Sequence, residues 1–112
     1  MKKMESRSMM ILGGYGSAGI RISRLILQET DINLILAGHN YPKAQNAASL
    51  LNTEFVGNRV HSMQVDACDS EALRNAFKCC DTVISYVPIT ALGIGGGVVQ
   101  AAFDAGINFI QL

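Results

Sequence analysis

The sequence predicts a doubly wound α/β domain, a parallel sheet of five strands with helices on both faces. Short apolar runs alternate with segments of helical periodicity from Met9 onward, and such alternation builds parallel sheets because each strand is followed by a crossover helix. The first crossover opens with Gly14-Tyr15-Gly16-Ser17-Ala18-Gly19, a G-x-G-x-x-G spacing between a strand and a helix. Most strand segments are continuous apolar runs, as strands covered on both faces must be.

Residues 1–8 are polar and read as a disordered N-terminal arm, leaving 9–112 as the domain. Met9-Met10-Ile11-Leu12 is the first strand. Between Ser17 and Glu29, Ala18, Ile22, Leu25 and Ile26 recur at helical spacing opposite Arg21, Arg24 and Gln28. That pattern predicts an amphipathic helix with the apolar four facing inward. Asn33–Ala37, ended by Gly38, is the second strand. Pro42 suits the first turn of a helix, whose inner face would be Ala44, Ala47, Ala48 and Leu51.

Val60–Val65 alternates polar with apolar over its last four residues, as a less covered edge strand would. Ser70 is a candidate cap for a short helix with Leu73, Ala76 and Phe77 inward. Thr82–Val87 is the fourth strand, stopped by Pro88. A loop holding Gly93, Gly95, Gly96 and Gly97 leads into a helix with Val98, Ala101, Ala102 and Ala105 inward. Gly106 is its natural stop, and Ile107–Leu112 is the fifth strand. With strand three at an edge, these textures support the Rossmann order 3-2-1-4-5.

Composition narrows the function. At 112 residues the chain reads as one domain, and 49% apolar content excludes disorder. Nine basic and nine acidic residues cancel, with no basic cluster beyond Lys2-Lys3, so neither nucleic acid nor an acidic membrane surface is an expected partner. No apolar stretch approaches the roughly 18 residues of a membrane span. Glu5 and Arg7 interrupt any signal-like segment, and a cytoplasmic location is expected. Cys68, Cys79 and Cys80 form no C-x-x-C pair and leave an odd thiol, which suits a reducing compartment. Cys79-Cys80 reads as small hydrophobes at a helix end in preference to a redox pair or a soft-metal site with His61.

The glycine turn points to a dinucleotide. Gly14 would make the tight turn, Gly16 would let the backbone approach a pyrophosphate, and Gly19 would let the helix pack close. The phosphates would rest on the first N–H groups of the helix, at Ser17, Ala18 and Gly19, with Tyr15 beside them. About twenty residues beyond the motif, NAD sites place a carboxylate on the ribose 2′-hydroxyl. Here the sequence reads Ala37-Gly38-His39-Asn40, with Lys43 following. His39, Asn40 and Lys43 would accept a 2′-phosphate without repulsion, which favours NADP over NAD; the competing reading of His39 is a surface histidine. Asp66, closing strand three, either accepts from the adenine amino group or starts the next turn. Val87 and Pro88 would lie near the nicotinamide ribose.

Several segments together resemble a known family: Ile11-Leu12-Gly13-Gly14-Tyr15-Gly16, Ala37-Gly38-His39, Asp81-Thr82-Val83-Ile84-Ser85 and the closing Val98–Leu112. They look like the NAD(P)-binding domain of the saccharopine dehydrogenase/reductase family, over nearly everything after Ser8. The resemblance implies an oxidoreductase whose substrate domain is absent here, so the fragment is expected to be inactive alone. The chain departs from that family at His39, where Arg is common, and at Gln111, where Asp is common. No catalytic constellation stands out: His61 and Tyr86 have no evident partner, and no Tyr-x-x-x-Lys pair of the short-chain dehydrogenase type is present. The alternative is a non-catalytic dinucleotide-binding or redox-sensing module similar to the NmrA-like group. An apolar fifth strand without Pro or Lys is also expected to recruit a partner strand, by self-association or from a substrate domain.

Overall fold

The computed structural model describes residues 7–66, 68–86 and 95–112. Along them strands and helices alternate as β1 (Ser8–Leu12), α1 (Ser17–Glu29), β2 (Asn33–Gly38), α2 (Tyr41–Glu54), β3 (Val60–Gln64), α3 (Ser70–Phe77), β4 (Thr82–Ser85), α4 (Gly95–Ala105) and β5 (Asn108–Gln111). The strands form one parallel sheet in the order β3-β2-β1-β4-β5. This is the predicted doubly wound arrangement, with the alternating strand at an edge.

The pleat divides the core into two layers. Met10, Leu12, Ile35, Ala37 and Val83 face α3 and α4, where Leu73, Phe77, Val98 and Ala101 meet them. Ile11, Leu34 and Leu36 face the other way, onto Leu27 of α1 and Ala44, Ala47, Ala48 and Leu51 of α2. The predicted inner faces of α2 and α3 are the buried ones. In α4, Val98, Ala101 and Ala102 are buried and Ala105 packs against them, while Gly106 ends the helix at φ +71°.

The inner face of α1 differs from the one that hydrophobic periodicity predicts. Its buried residues are Gly19, Ser23 and Leu27, whereas Ala18 is exposed, Leu25 is 57% exposed, and Ile22 and Ile26 are only partly covered. Small residues at i and i+4 bring the helix down onto the glycine turn, and that close approach sets its rotation. Ser23 is satisfied within the helix, its hydroxyl donating to the Gly19 carbonyl at 2.8 Å.

Boundaries shift for local reasons. The N-terminal arm cannot include Ser8, which pairs with Asn33 and donates its N–H to Asp81 Oδ2 at 3.0 Å; residues 1–6 lie outside the described residues. The cap of α3 is Asp69, not Ser70, because its carboxylate reaches the Ala72 N–H at 3.1 Å from an extended backbone. β4 stops at Ser85, and Val87, Pro88 and Gly93 lie outside the described residues.

Cys79 and Cys80 are not brought together with His61. The two cysteines lead into β4, and β2 and β1 separate that strand from β3. Burial first, then the neighbouring Cys79 and Asp81, push the Cys80 thiol up to about 11, so at neutral pH it packs as a small hydrophobe.

Arg59 ties the C-terminal end of α1 to the start of β2. Its guanidinium donates to the carbonyls of Leu27 at 2.8 Å, Thr30 at 2.6 Å and Ile32 at 2.8 Å. Cations are favoured at a helix C-terminus, and hydrogen bonds from a charged group each contribute about 1.5–3 kcal/mol. The three carbonyls are exposed or only partly buried, so water recovers much of that once the side chain is gone. Arg59→Ala is expected to cost about 2–3 kcal/mol in urea unfolding, within the range of one such bond, with Arg59→Lys intermediate because one ammonium cannot span three carbonyls. An alanine variant as stable as the parent would show that water replaces all three bonds.

Candidate functional site

The carboxyl ends of β1, β2, β3 and β4 lie along one edge of the sheet. The chain leaves β1 for β2 on one side and returns to β4 on the other, so the edge above β1 is a topological switch point, where open α/β sheets bind ligands.

The β1–α1 turn occupies that point. Gly13 carries the left-handed backbone, at φ +74°, and donates its N–H to the Ala37 carbonyl at 2.6 Å. The tight turn expected of Gly14 thus belongs to Gly13. Gly14 is required for space instead: a Cβ there would run into the Ile11 side chain and meet the Tyr86 ring at 3.4 Å. At Gly19 a Cβ would overlap the Gly14 carbonyl, the close helix packing that the motif implies. Gly16 differs from both. Nothing lies within 4 Å of a Cβ built on it, and its backbone is extended, at φ −85° and ψ −175°. No contact among the described residues demands a glycine at this position.

The start of α1 is equally open. Gly16 is its N-cap, with no side-chain hydrogen bond to the first turn and no acidic residue within it. By contrast, α2 and α3 close their N-termini with Asn40 and Asp69. The N–H groups and dipole of α1 therefore face the open side of the turn, an arrangement that suits a phosphate.

Beside the turn stands the tip of β2. His39 and Lys43 are exposed. The Asn40 side chain is engaged within the fold, its Oδ1 accepting from the Lys43 N–H at 3.2 Å and so capping α2. The Tyr15 ring covers Gly38, and its hydroxyl accepts from the Asn40 N–H at 3.3 Å. Asp66, past the end of β3, is exposed and holds a turn, its Oδ1 accepting from the Cys68 N–H at 2.9 Å. Of the two readings of Asp66, the turn is the one with a visible partner. The structure thus gathers Gly14–Gly19, His39, Asn40, Lys43 and Asp66 along one edge.

Tyr86, which has no evident partner in the sequence, has two in the fold. It lies just past β4, its ring against Gly14, its hydroxyl donating to the Ala18 carbonyl at 3.4 Å. With Ser17, Ala18, Arg21, Ile22 and Leu25 it lines an open cleft of about 470 Å³ on the flank of α1. The apolar residues assigned to the inner face of α1 are thus partly the wall of this cleft.

A glycine turn running into an uncapped helix at the switch point of a parallel sheet defines a Rossmann-type α/β domain of the nucleotide-binding class. The chain belongs to the KR domain family, whose model matches residues 8–110. By sequence, no curated protein matches it at a significant level.

Among solved structures it is similar to apo saccharopine dehydrogenase (L-Glu forming) from Saccharomyces cerevisiae. The identity is 22% and the TM-score 0.78, over 95% of this chain and 21% of that one. It is also similar to a wide-type short-chain dehydrogenase/reductase from Veillonella parvula solved with NADP. There the identity is 17% and the TM-score 0.74, over 96% of this chain and 47% of that one. AtPrR2, solved with NADP+ and (+)pinoresinol, is 22% identical with a TM-score of 0.68, over 96% and 36% of the two chains. These likenesses establish the fold. The chain spans from about a fifth to about half the length of these proteins.

Proposed function

We propose that this chain is the NADP(H)-binding domain of an oxidoreductase of the saccharopine dehydrogenase-like kind, with its substrate domain supplied by further polypeptide. The observation that carries the reading is the open space before Gly16, in a turn whose other two motif glycines are explained by packing. The first-turn N–H groups of α1 would hold the pyrophosphate, while His39, Lys43 and the Asn40 segment would face the adenosine ribose. When bound, the nicotinamide supplies hydride transfer. Two structural neighbours solved with NADP support the choice of cofactor. The exposed cysteines Cys68 and Cys79 suit a reducing, cytoplasmic setting.

Edge strand β5 supports the reading of a missing partner. Ile110 within it is 46% exposed, so a strand from a substrate domain or a second copy would cover apolar surface as well as pair the edge.

Thermal unfolding tests the cofactor. Ligand at about a hundred times its dissociation constant adds roughly 2.7 kcal/mol, a rise in midpoint of roughly 10 °C for a domain of this size. The expected result is a larger rise with NADP(H) than with NAD(H) at equal concentration. Equal rises, or a larger one with NAD(H), would remove the 2′-phosphate preference; no rise with either would remove the function.

A further inference from the structure

We infer that Tyr15 is the specificity-determining residue of this site, its phenol donating a hydrogen bond to a phosphate on the 2′-oxygen of the adenosine ribose. The inference rests on the proposed dinucleotide site and assigns it a chemical reader that motif spacing alone does not supply.

The tip of β2 bears no side chain at Gly38, the position that follows the buried run Leu34–Ala37. A Cβ there would lie 2.5 Å from Tyr15 Cε2 and 2.7 Å from the phenol oxygen. Any side chain at position 38 must therefore displace the Tyr15 ring. The two residues share one space: where other sheets of this kind raise a carboxylate towards the ribose, this chain lays a tyrosine across from the neighbouring turn. The phenol oxygen ends up close to where that carboxylate's side chain would begin.

The hydrogen-bond inventory then sets what the phenol prefers. Its oxygen already accepts from the Asn40 N–H at 3.3 Å, which leaves its proton to be given to something else. A ribose hydroxyl and a phosphate can both receive it, but the bond to an anion is charge-assisted and about twice as strong. Residues 37–43 contain no carboxylate and include His39 and Lys43, so nothing in this segment opposes a 2′-phosphate. Tyr15 also joins the phosphate turn to the tip of β2, so one ring spans both halves of the adenosine site.

Isothermal titration with two fragments separates this role from general binding. Adenosine 2′,5′-bisphosphate carries the 2′-phosphate, and 5′-ADP does not. Tyr15→Phe keeps the ring over Gly38 and removes only the hydroxyl. It is expected to weaken the bisphosphate about tenfold or more, the range of one hydrogen bond to a charged group, and 5′-ADP by no more than about threefold, because the bond to its ribose hydroxyl is about half as strong. Equal weakening of both fragments, or no weakening of either, overturns the role of Tyr15 while leaving the dinucleotide site standing. If the parent protein binds neither fragment, the dinucleotide reading itself falls and takes this inference with it.

Discussion

Gly16→Val is expected to abolish NADP(H) binding, by at least about a hundredfold, while moving the thermal midpoint by no more than a few degrees. The two effects separate because position 16 is open within the protein. No atom lies within 4 Å of a Cβ built there, and the backbone is in the extended region that valine favours. Valine is a poorer N-cap than glycine, but a β-branched residue also restricts the unfolded chain, which offsets part of that loss. What it blocks lies outside the protein: its methyl groups would stand where a pyrophosphate approaches the first turn of α1. Calorimetric titration with NADP+, paired with a thermal melt of each protein, checks both halves. A folded variant with near-native affinity would reduce the turn to a packing device.

Legibility in the sequence followed the physics each signal reports. The α2 face was readable because Ala44, Ala47, Ala48 and Leu51 are apolar and buried together. The α1 face was not, because what goes inward there is Gly19 and Ser23, chosen for smallness; hydrophobic periodicity does not register a close approach. The Asp69 cap and the early end of β4 moved by one or two residues, where several residues in a row could each serve. At the site, the motif located the turn but misassigned its parts, since the left-handed conformation falls on Gly13. The partnership of Tyr15 with Gly38 and Asn40 was invisible for a different reason: it joins two loops that only the β1–β2 pairing brings side by side. Tyr86 against Gly14 and Ala18 depends in the same way on the β1–β4 pairing. Side-chain meetings across strands need the register, and spacing along the chain does not contain it.

Gly19→Ala should destabilise the fold by about 3 kcal/mol or more, in the upper range for overpacking. The sign is the diagnostic part. In an ordinary helix the same change gains up to about 1 kcal/mol, because alanine has the higher propensity and glycine the more costly unfolded freedom. Here the new Cβ would overlap the carbonyl of Gly14. That carbonyl is backbone, in the tight β1–α1 turn, and cannot move aside like the end of a flexible side chain. Either α1 lifts from the sheet, opening the packing around Ser23 and Leu27, or the turn distorts and β1 loses register with β2. Gly97→Ala in α4 is the matched control: the nearest atom to its Cβ is Ser70 Oγ at 3.9 Å, an ordinary contact, and it should be neutral or slightly stabilising. Urea unfolding of the two variants beside the parent decides the matter. A Gly19→Ala protein as stable as the Gly97→Ala protein would mean that α1 stands off the turn in solution, and the close approach that explains its rotation would be lost with it.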